Sequence, residues 1–281
     1  MITVDENRNS NISSEHSEEL LNIIENFRLM DDTFMSKVFE DKACAELLLR
    51  VILNRDDLTV VKVVSQFELK NLQGRSARLD IYAVDEHGKQ YDVEVQRSDD
   101  GAAPRRARYN SSLLDANLLN PGDKFDELPE SYIIFITEHD VLKGGKPLYT
   151  VNRTISELDH AIFTDGSHII YVNGEIRNGT ALGELMQDFF CKDPREMHYK
   201  VLSDRAGYFK KDKEGVDTMC KLVEDYGEKR ARQAAELASN ERAVRMANNL
   251  WNKGERDLQQ IADLTDLPLD EVKKLFEGKT A

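Results

Sequence analysis

Polar and apolar residues alternate with a period of two on both sides of a short polar segment, DEHGK, at residues 85–89. The flanking segments are LDIYAV (79–84) and YDVEVQ (91–96). The segment between them has the acidic residues and glycine of a tight hairpin loop. If residues 86–88 form the loop with Gly88 left-handed, the numbers of facing residues add up to 174. The pattern therefore predicts a β-hairpin in which Asp80 lies opposite Glu94.

The same period sorts the side chains of this hairpin onto two faces. Asp80, Asp92, Glu94 and Gln96 share one face, and the apolar residues between them share the other. We expect the apolar face to be buried and the other face to gather carboxylates. Like charges about 5 Å apart on facing residues repel each other, and a divalent cation removes that repulsion. An ordinary hairpin with an acidic solvent face is the alternative.

Hydrophobic periodicity elsewhere predicts the elements around the hairpin. Helices are predicted at about 18–27, 33–53, 103–119, 182–190, 197–209 and 214–251, and strands at 58–69, 131–137, 148–155 and 168–172. The run SYIIFIT (131–137) is typical of a central strand that is covered on both faces. The elements up to this strand follow the order helix, three strands, helix, strand.

Asp80, then thirteen residues, then Glu94-Val95-Gln96 resembles the signature of the PD-(D/E)XK nuclease superfamily, with Gln96 where lysine is usual. The surrounding segments FMSKVFEDKACAELLLRVIL, QRSDDGAAPRRARYNSSLLDANLL and LPESYIIFITEHD are similar to its recombination-promoting nuclease/putative transposase branch. The similarity runs from about residue 31 to about residue 227. It implies an α/β, restriction-endonuclease-like αβββαβ core with a mixed sheet, followed by a C-terminal helical extension.

The resemblance also implies a Mg²⁺-dependent DNA endonuclease, with Mn²⁺ as a substitute ion. Its catalytic residues would be Asp80, Glu94 and Gln96. The implied metal ligands are Asp80, Glu94, the backbone carbonyl of Val95 and either Glu46 or Asp32 from the first helix. Glutamine can orient a water molecule through its amide, but it lacks the positive charge that lysine would place beside the phosphate.

The overall charge argues against a nucleic-acid partner. The chain has 38 basic and 52 acidic residues, which gives a net charge of −14, whereas DNA binding depends on neutralising phosphates. A nuclease therefore needs a local basic patch, and the best candidate just after the hairpin is formed by Arg97, Arg105, Arg106 and Arg108. The predicted nucleic-acid-binding residues are Arg97, Arg105, Arg108 and Tyr109. Arg97 should point away from Gln96 within the strand, so Arg105 is the better candidate to replace the missing lysine charge.

The acidic balance and Gln96 also support a second interpretation, which is a catalytically weak or inactive module of nuclease fold that binds nucleic acid or takes part in assembly. The sequence does not distinguish DNA from RNA. It also leaves open whether the biological role is transposition, recombination or defence.

The ends of the chain differ from its centre in composition. Residues 1–16 are polar and are predicted to be disordered, and they have neither the basic nor the apolar region of a secretory signal. No apolar run approaches the ~18 residues that a membrane span needs. The three cysteines have no paired spacing. These features predict a cytoplasmic protein.

We divide the chain into a nuclease-like domain at 17–213 and a helical tail at 214–281. The tail ends in LQQIADLTDLPLDEVKKLF (258–276), which is similar to a helix-turn-helix. Asp270 and Glu271 begin its second helix and would repel DNA phosphates. For this tail, homo-oligomerisation or packing is favoured over the reading of DNA.

Overall fold

The computed structural model describes residues 17–71 and 74–278, so the disorder predicted for residues 1–16 lies outside the described part. Residues 17–26 are helical (α1). The other α-helices are α2 Asp32–Val38, α3 Lys42–Leu53, α4 Pro104–Leu118, α5 Ala181–Phe190, α6 Lys200–Lys211, α7 Lys213–Asn252, α8 Leu258–Thr265 and α9 Leu269–Phe276. The strands are β1 Val60–Leu69, β2 Ala77–Asp85, β3 Gln90–Gln96, β4 Ser131–Thr137, β5 Leu148–Val151, β6 Thr154–Ile155, β7 Ala161–Ile162 and β8 Ser167–Asn173. No helix in the described ranges is both long and apolar enough to cross a membrane.

Six strands form one mixed sheet in the order β1-β2-β3-β4-β8-β5. The first three strands pair antiparallel, whereas β3 pairs parallel with β4, and β4 pairs parallel with β8. A parallel connection needs a crossover, and α4 provides it between β3 and β4. The predicted αβββαβ order and the mixed sheet are therefore confirmed.

The prediction of one continuous helix over residues 33–53 is wrong, because the structure has two helices there, α2 and α3. Asp41 separates them. Its side chain accepts hydrogen bonds from the backbone N–H groups of Ala43 (2.8 Å) and Cys44 (3.3 Å), which caps the N-terminus of α3. The helical spacing of apolar residues continues from α2 into α3, so the hydrophobic pattern gave no indication of the break.

The hairpin has the predicted register. Ile81 faces Val93 and Val84 faces Gln90, so the numbers of facing residues add up to 174. Gly88 has a φ of 79°, a left-handed conformation that favours glycine at this loop position. The paired ladder ends at Ile81, and Asp80 and Glu94 are the next residues on the two strands.

The expectation that only the apolar face of the hairpin is buried is wrong, because α4 covers the carboxylate face. Tyr82 on that face packs in one core cluster with Ala107 and Leu114 of α4. Strict alternation also breaks at Asp80, since Leu79 belongs to the same cluster although it is three positions from Tyr82. On the neighbouring strand, Gln66 has a φ of 54° at the corresponding position.

Both faces of the central strand β4 are buried, as its apolar run predicts. Ile133 and Phe135 pack under α4, and Ile134 and Ile136 on the opposite face are equally inaccessible to solvent. Helix α3 packs against β1 and against α5 and α6. The carboxylate face of the hairpin therefore lies inside a covered α/β core.

The contacts divide the chain into two compact units, one ending at Cys220 and the other beginning at Lys221. In the second unit, α8 and α9 flank a short turn in which Asp266 has a φ of 56°. Trp251 stacks on Phe276 with ring centroids 4.3 Å apart. The domain boundary at residue 213 and oligomerisation through these helices stay predictions.

Candidate active site

Three acidic residues meet on the covered face of the hairpin, and we call Asp80, Asp92 and Glu94 the carboxylate cluster. Asp92 and Glu94 on β3 are completely buried, while Asp80 on β2 is partly exposed. The backbone N–H of Val95 donates a 3.0 Å hydrogen bond to Oδ2 of Asp80. This bond joins the two strands just beyond the end of their ladder and brings Asp80 beside Glu94.

The counter-charge of the cluster comes from α4. Nη2 of Arg106 forms an ion pair with Oε2 of Glu94. Its Nη1 donates to Oε1 of Gln96 (3.3 Å) and to the backbone carbonyl of Gly101 (3.0 Å). Nε2 of Gln96 in turn donates to Oε2 of Glu94 (3.2 Å). Arg106 and Gln96 therefore form a closed hydrogen-bonded ring with Glu94.

A close backbone approach holds this ring in place. A Cβ atom at Gly101 would lie only 2.1 Å from Oε1 of Gln96. Glycine is therefore the residue that allows the 3₁₀ turn Asp99–Ala102, which joins β3 to α4, to lie directly against the Gln96 side chain.

Asn110, one turn after Arg106, is the second side chain of α4 that donates to the cluster. Its Nδ2 lies 3.2 Å from Oδ2 of Asp92 and 3.4 Å from Oε1 of Glu94. The other oxygen of Asp92, Oδ1, is buried and has no hydrogen-bond partner within the described chain. The donors around these acids therefore do not satisfy all of their oxygen atoms.

The incomplete compensation is visible in the pKa values. Burial, followed by the negative charge of Asp80, raises the pKa of Glu94 to about 8. Burial raises the pKa of Asp80 to about 6, although the Val95 N–H opposes that change. Burial and then the charge of Glu94 raise the pKa of Asp92 well above its ordinary value. Such shifts are typical of functional sites.

The cluster opens onto a cavity of about 730 Å³, which we call the cleft. Its lining includes Asp80 and Tyr109 together with Arg75, Arg78, Arg105 and Arg106. Four arginines therefore lie at one opening, and Asp100 is a second acidic residue of the same lining. The cleft therefore combines four cationic side chains with the two acidic side chains of Asp80 and Asp100.

Comparison with known proteins agrees with this geometry. Residues 36–180, which are just over half of the chain, match the family model described as PD-(D/E)XK nuclease family transposase. The chain belongs to this family. The recognised resemblance and the α/β restriction-endonuclease-like fold class are thereby confirmed. No curated protein and no solved structure gives a significant match.

Glu46 and Asp32, the two acids predicted as additional metal ligands, occupy different environments. Glu46 on α3 accepts the backbone N–H of Val60 (2.9 Å) and pairs with Arg50 (2.8 Å). Asp32 on α2 accepts from Gln66 (3.2 Å), and its negative charge contributes to the raised pKa values of Asp80 and Glu94. The structure thus brings Asp32 near the cluster and engages Glu46 in joining α3 to β1.

The predicted nucleic-acid-binding residues are also spread over different surroundings. Arg105 and Tyr109 line the cleft, and the Tyr109 hydroxyl is anchored to the backbone carbonyl of Arg75. Arg97 pairs instead with Asp31 (2.9 Å) and Glu138 (3.1 Å). Arg108 is exposed on α4 and is not among the residues that line the cleft.

Sequence reasoning missed Arg106 and Asn110 as the residues of α4 that face the carboxylates, because it placed Arg105 and Tyr109 on that side. The sequence of α4 nevertheless contained a pattern that could have identified both residues. Ala107 and Leu114 mark the buried side of α4, and Asn110 falls between them on the same side. A polar residue inside an apolar stripe needs a buried polar partner, and Arg106 lies one turn before it.

The oxygen donors fit a hard divalent cation. Mg²⁺ is commonly held by one or two carboxylates, with water and substrate phosphate completing its coordination. Asp80 and Glu94 match this pattern, and an unpartnered oxygen of Asp92 lies in the same cluster. Among residues 17–71 and 74–278, however, no group of three or more His, Cys, Asp or Glu side chains is arranged as a complete metal site. A cation held by Asp80 and Glu94 would therefore need water or substrate to complete its coordination.

Proposed function

We propose that this family member is a metal-dependent endonuclease that hydrolyses phosphodiester bonds in DNA. The observation that carries the proposal is the carboxylate cluster, whose pKa values are raised and which opens onto an arginine-lined cleft. Membership of a PD-(D/E)XK nuclease family supports the same chemistry. Buried acids that lack enough donors are costly unless a cation joins them, and phosphate is the substrate that an arginine-lined cleft suits.

Asp80 and Glu94 would hold Mg²⁺, or Mn²⁺ in its place, with the backbone carbonyl of Val95 as a further oxygen donor. An ion held there would supply Lewis-acid chemistry, which activates water and polarises the scissile phosphate. Asn110 keeps Glu94 oriented, and the Val95 N–H fixes one oxygen of Asp80. We propose Asp32 on α2 as the additional metal ligand, because its negative charge acts on both Asp80 and Glu94.

The cleft would bind the DNA backbone through Arg105, with Tyr109 providing a half-exposed ring beside it. Grooves that bind single-stranded nucleic acid commonly combine aromatic side chains with cations. Arg97 contributes less in this proposal, since Asp31 and Glu138 already neutralise its charge.

The direct test is to incubate purified protein with supercoiled plasmid DNA and Mg²⁺, beside the same mixture with EDTA. Nicked and linear products should form only with free Mg²⁺. A calorimetric titration of the protein with Mg²⁺ alone should show binding. Absence of both cleavage and ion binding would contradict the proposal, and parallel RNA substrates would show which nucleic acid is preferred.

Two observations favour a second function, that of a nuclease-fold module that binds nucleic acid without cleaving it. Arg106 already pairs with Glu94, so a cation must share that carboxylate with a guanidinium group. Gln96 also stands where the family pattern has lysine. Tight DNA binding, measured by fluorescence anisotropy, together with Mg²⁺-independent and negligible cleavage would support this function.

A further inference from the structure

A positively charged side chain, Arg106, lies in the carboxylate cluster beside Gln96, the position at which the family pattern has lysine. In the family pattern the lysine follows two residues after the second acid, and this chain has Gln96 at that position. Oε1 of Gln96 lies 3.3 Å from Nη1 of Arg106, and the other terminal nitrogen of Arg106 pairs with Glu94. A guanidinium group from α4 therefore lies beside the end of the side chain at position 96.

We infer that Arg106 is a catalytic residue, and that its guanidinium supplies the positive charge that stabilises the phosphate during hydrolysis. Gln96 then has a different task, which is to hold Arg106 and Glu94 together. This inference rests on the proposed nuclease function and assigns a residue role within the same site.

The position of the guanidinium is fixed before any substrate arrives. Three acceptors hold it: the carboxylate of Glu94, the amide oxygen of Gln96 and the backbone carbonyl of Gly101. These acceptors lie on β3 and on the short turn that leads into α4, so one guanidinium group joins strand, turn and helix. A charge held in this way does not have to reorganise when charge develops on the phosphate, which is the condition for strong electrostatic stabilisation.

Arg106 also remains accessible from the cleft. Its side chain is 39% exposed although it pairs with a fully buried carboxylate. It lines the cleft with Asp80, so a phosphate bound near Asp80 can reach its outer edge. Arg105 lines the same cleft from the next position on α4, but its side chain is exposed, so it suits the binding of neighbouring phosphates.

The chemistry suits an arginine. In hydrolysis the oxygen of water forms a bond to phosphorus while the bond to the leaving oxygen breaks. The water releases a proton to solvent, and the leaving oxygen takes up a proton from solvent. Negative charge meanwhile builds up on the phosphoryl oxygens. Guanidinium stays protonated at any working pH and has several N–H donors in a planar fork that matches these oxygens.

The test compares three variants of the full chain with wild type. R106Q removes the charge, Q96K/R106Q moves the charge to position 96, and R232Q removes an exposed, ion-paired arginine of α7 as a matched control. Each is measured for kcat on plasmid DNA, for Mg²⁺ affinity by calorimetry without DNA, and for Tm.

For R106Q we expect kcat to fall by about 10²–10³-fold, the usual cost of removing one preorganised donor to a developing oxyanion. Measured at a pH at which Glu94 is ionised in both proteins, Mg²⁺ binding should tighten by about tenfold, because a positive charge that shares Glu94 with the ion is gone. Q96K/R106Q should recover at least about tenfold in kcat over R106Q, since a lysine there restores a charge near the phosphate. R232Q should behave like wild type. Tighter ion binding with slower turnover is a combination that a purely structural role of Arg106 would not produce.

Several outcomes would overturn the inference. If R106Q cleaves as fast as wild type or faster, Arg106 merely occupies the ion site and blocks it. If Mg²⁺ binding weakens along with turnover, or Q96K/R106Q recovers nothing, Arg106 only maintains the structure. A wild-type protein that binds Mg²⁺ but never cleaves would overturn the proposed function as well. If R106Q does not fold, R106K replaces it, with a smaller loss of kcat expected because lysine lacks the planar fork.

Discussion

The two ends of the β2–β3 hairpin each bury acidic residues, but they differ in how many hydrogen-bond donors surround the carboxylates. At the tip, Asp85 is 2% exposed and accepts from the N–H groups of His87 and Lys89, both at 2.9 Å, and from the Tyr91 hydroxyl at 2.8 Å. At the base, Asp92 keeps an oxygen without a partner in the described chain, and Glu94 has a pKa of about 8. The same two strands therefore contain both satisfied and unsatisfied carboxylates.

The number of donors around a buried carboxylate indicates whether it stabilises the fold or awaits a ligand. A buried carboxylate that has three donors fixes the loop around it and needs no further partner. A group of buried carboxylates with too few donors lowers the stability of the fold, and it persists where a ligand can supply the missing charge. The base of the hairpin is therefore the place where we propose that a cation binds, whereas the tip positions the strands that lead to it.

The largest expected effect is the loss of cleavage when the charge at the base is removed. D80N and E94Q keep the size of each side chain but remove one negative charge from the proposed ion site. We expect Mg²⁺-dependent plasmid cleavage to fall to background in both, while circular dichroism shows an unchanged fold.

D85N at the tip is the matched control, since it removes a buried acid on the same hairpin. It should cost about 1–3 kcal/mol of unfolding free energy, because an amide has only one oxygen to accept the three donors. Its folded fraction should cleave DNA at the wild-type rate. Equal cleavage by D80N and wild type would remove the functional distinction between the two ends.

The features predicted correctly from sequence are those fixed by local geometry. The loop with Gly88 sets the hairpin register, and this register puts Asp80 and Glu94 at facing positions just past the end of the ladder. The rotation of α4 about its axis is set by packing against β4 and the core, and a shift of one position exchanged Arg105 for Arg106. The helix break at Asp41 was missed because the apolar stripe runs through it. The contacts of Arg106 depend on three segments meeting, which no local pattern contains.

The second prediction concerns stability against pH. The pKa of Glu94 in the folded protein, about 8, is above its ordinary value of 4.5, so between these values the folded state binds more protons than the unfolded state. Without metal, the unfolding free energy should fall as pH rises through this window, by up to about 1.4 kcal/mol per pH unit from this group.

Urea unfolding of wild type and E94Q in EDTA, at several pH values between 5 and 8, measures this effect. E94Q should have a flatter profile and should be the more stable protein at pH 8, because its amide never has to lose a proton. Parallel profiles for the two proteins would show that the charge of Glu94 does not strain the fold.

A third, smaller effect is expected from the ion itself. Mg²⁺ should raise Tm by more at pH 8 than at pH 6, because at the lower pH the ion must displace a proton from Glu94 before it can bind. The shift should be lost in D80N and kept in D85N, as differential scanning fluorimetry would record. A shift of equal size in D80N would place the bound ion elsewhere in the protein.

The smallest expected effect distinguishes the arginines that surround the base. Arg105 lines the cleft, whereas Arg97 is already paired with Asp31 and Glu138. R105Q should weaken DNA binding in EDTA and reduce the slope of log affinity against log salt by about 1, the contribution of one phosphate contact. R97Q should leave the slope unchanged, because its charge is neutralised within the protein. If R97Q instead lowers the slope as much as R105Q does, the DNA backbone extends beyond the cleft, and the positive patch is wider than the hairpin base alone.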